Sequence, residues 1–224
     1  MGELLDTALE VDEYVVDSLG LEDEVLAAVL EASRVAGLPA IAVSAPHGAL
    51  LEVLVMMSGA TRVLEVGTLG GYSAIRMARA AGPTGRVVTL ESDATHADVA
   101  RAAFALAGVA DRIELREGQA TSTLASMVEQ GESPFDLVFI DADKESNPTY
   151  VRRALELSRP GTVIFVDNVV RDGAVLDAAS DNASVVGTRE MFAQLSAEGR
   201  LRATAIQTVG AKGYDGFLLG VVVA

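Results

Sequence analysis

The first part of the chain repeats its apolar positions at helical spacing. Residues 3–36 follow this pattern, which breaks at Leu19-Gly20-Leu21 and closes at Gly37-Leu38-Pro39. A further helix is predicted from Pro46 to about Met57, with Leu50, Leu51, Leu54 and Val55 on its apolar face. From residue 61 the pattern changes. Short apolar runs predict strands at 62–66, 86–91, 113–116, 136–141 and 162–167. Between them, Ala-rich amphipathic stretches predict helices near 72–81, 95–107, 121–130 and 147–158. Such alternation implies an α/β fold, a doubly wound and mostly parallel sheet with helices on both faces. Its crossovers should be right-handed.

The end of the chain differs. Apolar runs at 201–209 and 217–223 are separated only by the segment GAKGYDG. Gly210, Gly213 and Gly216 make that segment a hairpin or long turn, so one of these strands is expected to be antiparallel. Together the runs predict a seven-stranded sheet in a single domain, 1–224. Residues 1–57 would form an N-terminal helical extension packed on it. The stretch 171–187, rich in Asp, Ala and Ser, reads as a mobile lid.

Composition narrows the function classes. A chain of 224 residues, half of them hydrophobic, needs no covalent staple to bury a core. It holds 17 basic and 32 acidic residues, a net charge of −15. Such a surface repels phosphate backbones and anionic lipid, so neither nucleic acid nor membrane is an expected partner. With no cysteine, thiol catalysis and Cys-ligated metals are excluded. The acidic opening stretch lacks a basic n-region and a long apolar h-region, and a cytoplasmic location is expected.

Candidate chemistry gathers at strand ends. The stretch VLEVGTLGGYS joins a strand, a glycine turn and a helix start. Glycine lets backbone approach a ligand closely, and open α/β sheets bind ligands beyond the carboxyl ends of their strands. A dinucleotide fingerprint would need glycine where Leu69 and Tyr72 stand, which disfavours an NAD-dependent oxidoreductase. Glu65 would oppose a pyrophosphate and suits a positively charged ligand. Glu91 ends the next strand, where an acid can accept hydrogen bonds from both ribose hydroxyls. Alone, these features also fit an ordinary βα connection. His47 and His96 have no ligand spacing and read as helix-surface or cap residues.

The motifs VLEVGTLGGYS, TLES, GQA, DLVFIDADK and IFVDN, in this order, resemble class I S-adenosylmethionine-dependent O-methyltransferases. The group is similar to the cation-dependent caffeoyl-CoA and catechol O-methyltransferases, from about residue 35 to the C-terminus. The resemblance implies the Rossmann-like methyltransferase fold and a homodimer. It places Glu65, Gly67, Thr68 and Ser73 around the methionine portion of S-adenosylmethionine and Glu91 at the ribose. Ala120 would flank adenine, and Val43 would contact the cofactor from the N-terminal side. Gln119 departs from the acid usual before that Ala.

DLVFIDADK and IFVDN suggest a second site. Adjacent parallel strands would bring Asp141 close to Asp167 and Asn168. Two carboxylates and an amide oxygen form a hard ligand set for Mg²⁺, with Ca²⁺ or Mn²⁺ as alternatives. Without a cation the acids would repel, and one pKa should rise. The open positions would suit the adjacent oxygens of a catechol. In the resembling family the lysine matching Lys144 removes or stabilises the proton of the reacting hydroxyl. Asp141 would bridge the cofactor region and metal, while Asp143 and Tyr150 would line the acceptor cleft. The expected function is cation-dependent O-methylation of a small vicinal dihydroxy aromatic. The alternative is a methyltransferase-fold protein that binds S-adenosylmethionine without catalysis. Asn147, Gly161-Thr162 and Arg171 depart from the family pattern near the substrate mouth, which leaves the acceptor open.

Overall fold

The computed structural model describes residues 2–224, the side chains of Glu3 and Leu4 excepted. Three helices come first: α1 (Gly2–Leu19), α2 (Glu24–Val35) and α3 (Ala45–Ser58). Their ends follow local chemistry. Asp23 caps α2 by accepting from the Leu26 N–H at 2.8 Å. Gly59, at φ 63°, closes α3 in the left-handed conformation.

The sheet strands are β1 (Arg62–Val66), β2 (Arg86–Glu91), β3 (Ile113–Glu117), β4 (Phe135–Ile140), β5 (Ser158–Asp167), β6 (Leu201–Gly210) and β7 (Gly213–Val222). The helices between them are α4 (Tyr72–Ala80), α5 (Ala94–Leu106), α6 (Ala120–Glu129), α7 (Asn147–Glu156) and α8 (Ala183–Ser196). Spatial order is β3-β2-β1-β4-β5-β7-β6. The first five strands are mutually parallel, and β7 runs antiparallel between β5 and β6.

Side-chain alternation divides the core. Val63, Val87, Leu137, Phe139, Val163 and Phe165 face one way, against Leu51 and Val55 of α3, Ile75 of α4 and Phe104 of α5. Leu64, Val66, Val88, Leu90, Val138 and Ile164 face the other, against Leu124 of α6, Val151 of α7 and Met191 of α8. These strands are covered on both faces, which is why they read as continuous apolar runs. Each fully buried Leu, Val or Phe contributes about 1.5–3 kcal/mol relative to exposure.

The structure moves some boundaries. The segment GAKGYDG is not a long turn, because Gly210 pairs with Gly213 and only Ala211 and Lys212 form the tip. The stretch 171–187 is not one irregular loop. It contains 3₁₀ turns over Arg171–Leu176 and the start of α8. Sequence reading missed α8, although Asn182 is a clear N-cap, accepting from Ser184 N–H at 3.0 Å and Val185 N–H at 3.3 Å.

Candidate active site

Strand order reverses between β1 and β4, because β1 continues to β2 on one side while β4 leads to β5 on the other. The crevice beyond this switch point is where an open α/β sheet receives a ligand. Asp141 N–H donates to Val66 C=O at 2.8 Å, closing the two strand ends together. Gly67 sits there at φ 102°, and a Cβ on it would lie 2.1 Å from Asp141 C=O. No other residue type fits both the backbone angle and that approach.

The turn into α4 is held by Glu91 at the end of β2. One Glu91 oxygen accepts from Thr68 N–H at 3.2 Å and Leu69 N–H at 2.8 Å. The other accepts from Ser92 N–H at 2.9 Å and Asp93 N–H at 3.0 Å. Glu91 therefore shapes the rim as well as lining it. Below, Glu65 is completely buried and bonded to the hydroxyls of Ser73 and Thr89. Burial pushes its carboxyl up to about 8, against the lowering effect of those two hydrogen bonds.

The other half of the crevice comes from β4 and β5. After Asp141, a 3₁₀ turn over Lys144–Ser146 folds Lys144 back, with its Nζ 2.7 Å from Asp141 Oδ1. Lys144 is only 7% exposed, so its end of the ion pair is screened less than that of a surface pair, while Asp141 opens on the cavity. Tyr150 of α7 donates its hydroxyl to Asp143. At the end of β5, Asp167 is buried, and Asn168 takes φ 56°, a left-handed conformation that Asn tolerates better than most residues. The Asp167 carboxyl is pushed up to about 7, first by burial and then by the charge of Asp141. The direction is the one the sequence suggests, but burial is its first cause and the nearby Lys144 ammonium opposes it.

One cavity of about 530 Å³ joins these halves. Val43, Gly67, Thr68, Ser73, Glu91, Ala120, Asp141, Asp143, Lys144, Tyr150 and Asn168 all line it. Glu65 and Asp167 lie behind its wall. Among the described residues, no group of three or more His, Cys, Asp or Glu side chains is disposed to hold a metal. The set anticipated from sequence is two carboxylates and an amide, and its hard oxygen donors fit a divalent cation chemically.

One histidine departs from expectation, while His96 stands as read in the first turn of α5, its N–H donated to the Asp93 cap at 3.1 Å. His47 does not lie on the surface of α3. It packs on Phe165 and Phe217, with ring centroids at 5.2 and 5.7 Å. Its Nδ1 is 3.8 Å from Asp167 Oδ2, and burial lowers its pKa. His96 lines the cavity, with Nδ1 3.6 Å from Glu91. Neither contact with an acid has a local sequence signal, because each depends on how a helix docks against a strand end. Sequence reading also missed Arg76, which is 1% exposed on α4. It donates to Leu21 C=O and to the Tyr72 hydroxyl, and pairs with Glu22 at 3.2 Å and Glu52 at 3.1 Å. That network ties the first helices to Tyr72 on the cavity wall.

Similarity to known proteins agrees with this geometry. The sequence profile of the O-methyltransferase family matches residues 16–219. The chain is 52% identical over 213 residues to a catechol O-methyltransferase of Mycobacterium tuberculosis, covering 95% of each protein. It is 47% identical over 212 residues to a catechol O-methyltransferase of Niastella koreensis, covering 95% of this chain and 96% of that protein. The crystal structure of an O-methyltransferase from Bacillus cereus in complex with SAH (S-adenosylhomocysteine) superposes with a TM-score of 0.95 at 49% identity. That match covers 97% of this chain and 99% of the other. The chain belongs to the O-methyltransferase family and is an S-adenosylmethionine-dependent O-methyltransferase.

Proposed function

We propose that this O-methyltransferase methylates one hydroxyl of a small vicinal dihydroxy aromatic and requires a divalent cation, Mg²⁺ foremost. The observation that carries the reading is the meeting of Lys144, Asp141 and Asn168 on the crevice that also contains the Gly67 turn and Glu91, with Asp167 beside Asp141 just behind its wall. When bound, S-adenosylmethionine supplies an electrophilic methyl on sulfur, and the cation supplies Lewis acidity that lowers a hydroxyl pKa.

In this reading Glu91 receives the ribose hydroxyls, Ala120 flanks adenine, and Val43, Thr68 and Ser73 surround the methionine portion. Glu65 supports that wall from below through Ser73. Asp141, Asp167 and Asn168 hold the cation. Lys144 takes the hydroxyl proton as an amine, or stabilises the developing phenolate as an ammonium. Asp143 and Tyr150 bound the acceptor side. The oxygen forms its bond to the methyl carbon as the carbon–sulfur bond breaks, and that electron pair stays on sulfur. The protein contributes mainly alignment of the two reactants and a shielded site.

The relatives named catechol O-methyltransferases support the acceptor class, at about half identity. A cytoplasmic homodimer completes the proposal; the apolar Val53, Met56 and Met57 exposed on α3 support a subunit contact. The first experiment measures labelled methyl transfer from S-adenosylmethionine to a catechol panel, with Mg²⁺ and with EDTA. Transfer that EDTA abolishes is expected. Asp167→Asn should lower that transfer at least 100-fold while changing S-adenosylhomocysteine affinity by less than about threefold. Cofactor binding without transfer to any catechol would point to an acceptor of another class or to the noncatalytic alternative.

A further inference from the structure

Arg171 is the charged side chain on the cavity wall that the catalytic reading leaves unused. It shares the acceptor side with Asn168, Asp143, Lys144 and Tyr150. Its backbone is held in an uncommon shape, because Asn168, Arg171 and Asp172 take φ values of 56°, 57° and 55°. Non-glycine residues rarely adopt this conformation, and clusters of them mark segments whose surroundings over-determine them.

The surroundings do so here. Asp215 on β7 accepts from Val170 N–H and Arg171 N–H, each at 2.9 Å, through one carboxylate oxygen. The same oxygen accepts from Gly216 N–H at 2.9 Å. Farther along, Arg189 of α8 donates to Val175 C=O at 2.6 Å. The loop is thus pinned from β7 and from α8.

The side chain is less committed than its backbone. Its nearest acid is the other Asp215 oxygen, 3.9 Å from Nη1, too long for a hydrogen bond. Among the described residues the guanidinium donates no hydrogen bond, and its Nε is shielded from water without a partner. The side chain remains 33% exposed, and the residue lines the cavity. A planar fork of donors on a rigid loop, with its charge only partly met, is preorganised for a carboxylate. In the field of this cavity an anionic acceptor would need such a group beside Lys144. Glu91, Asp141 and Asp143 line it, and the chain carries a net charge of −15. An anionic acceptor would otherwise be repelled.

We propose that Arg171 is an acceptor-specificity residue that binds a carboxylate on the aromatic ring, so that the preferred substrate is a catechol carboxylate. This rests on the catechol reading above and narrows it. An acceptor with an ammonium substituent would meet Arg171 as a like charge.

The test compares 3,4-dihydroxybenzoate, its methyl ester and 3,4-dihydroxybenzylamine as acceptors, with S-adenosylmethionine and Mg²⁺. For the wild-type protein, kcat/KM should favour the acid over the ester at least tenfold, mainly through KM. Arg171→Gln should reduce that acid-to-ester ratio about 10- to 100-fold, the range of a charge-assisted hydrogen-bonded pair. Arg171→Lys should restore part of it. An equal ratio in wild type and Arg171→Gln, or a wild-type preference for the ester or amine, overturns the proposal and leaves the catechol reading intact. If no acceptor is methylated, that reading fails, and calorimetric binding to the protein loaded with S-adenosylhomocysteine and Mg²⁺ decides the role of Arg171. Tighter binding of the acid than the ester supports the carboxylate site; equal affinity overturns it. Should Arg171→Gln fail to fold, the wild-type comparison and Arg171→Lys carry the same decision.

Discussion

Glu65 shows how far one residue can depart from its ordinary chemistry. Its carboxyl is completely buried and has its pKa raised to about 8 from 4.5. Between these values the folded state holds a proton that the unfolded state has released. Folding therefore becomes less favourable as pH rises through this window, by up to about 1.4 kcal/mol per pH unit from this group. Below pH 4.5 both states are protonated and the cost vanishes. Glu65→Gln keeps the shape and removes the titration, while the hydroxyls of Ser73 and Thr89 can rotate to accept from the amide. In urea unfolding of the cofactor-free protein, the variant should gain on wild type steadily from pH 5 to pH 8. Parallel stability curves would mean that Glu65 titrates normally. Such a neutral acid sits comfortably under a turn whose other supporting carboxylate, Glu91, already accepts four backbone N–H groups.

The strand-to-helix turn after β1 is the element on which the crevice depends. Gly67 is constrained twice, by its positive φ and by the Asp141 carbonyl beside it. Gly67→Ala should destabilise the fold by about 3 kcal/mol, from the left-handed backbone and the forced separation of β1 and β4. It should also weaken S-adenosylhomocysteine binding, because Thr68 and Leu69 would no longer reach Glu91. Denaturant titration and calorimetry measure both effects; normal stability would show that the turn relaxes without cost. Within the element, α4 follows from its own sequence, but its burial does not. Arg76 is enclosed because Glu22 meets it from the segment before α2, Glu52 from α3 and Tyr72 from its own helix.

For the whole molecule, the core is satisfied on both faces of the parallel strands, while α3 keeps an apolar stripe outward. Val53, Met56 and Met57 are 43%, 61% and 79% exposed on α3. The proposed homodimer would cover this face. Sedimentation of the wild-type protein at micromolar concentration should give a dimer, and the double change Val53→Glu and Met57→Glu should shift it to monomer. A wild-type monomer would end the dimer reading without touching the chemistry of the site. The charge of −15 acts at this scale too, favouring solubility and disfavouring any extended polyanion as partner. Among the described residues, no helix is long and apolar enough to cross a membrane.

Much of the fold was legible because its signals are local. Five apolar runs separated by amphipathic stretches can bury themselves only as covered parallel strands, and the strand ends at Asp141, Asp167 and Glu91 follow directly. Parallel neighbours in register then set Asp141 near Asp167 and Asn168, so the acidic half of the site was readable as well. Tertiary packing decided the rest. His47 reaches Asp167 only because α3 docks over β5 and β7, and Arg76 finds Glu22 at a separation of 54 residues. The shape of 168–172 depends on Asp215 arriving from β7, more than 40 residues later. Local periodicity records which face of an element is buried. It carries no term for the partner that covers that face, and the partner sets the orientation, pKa and availability of each side chain in the crevice.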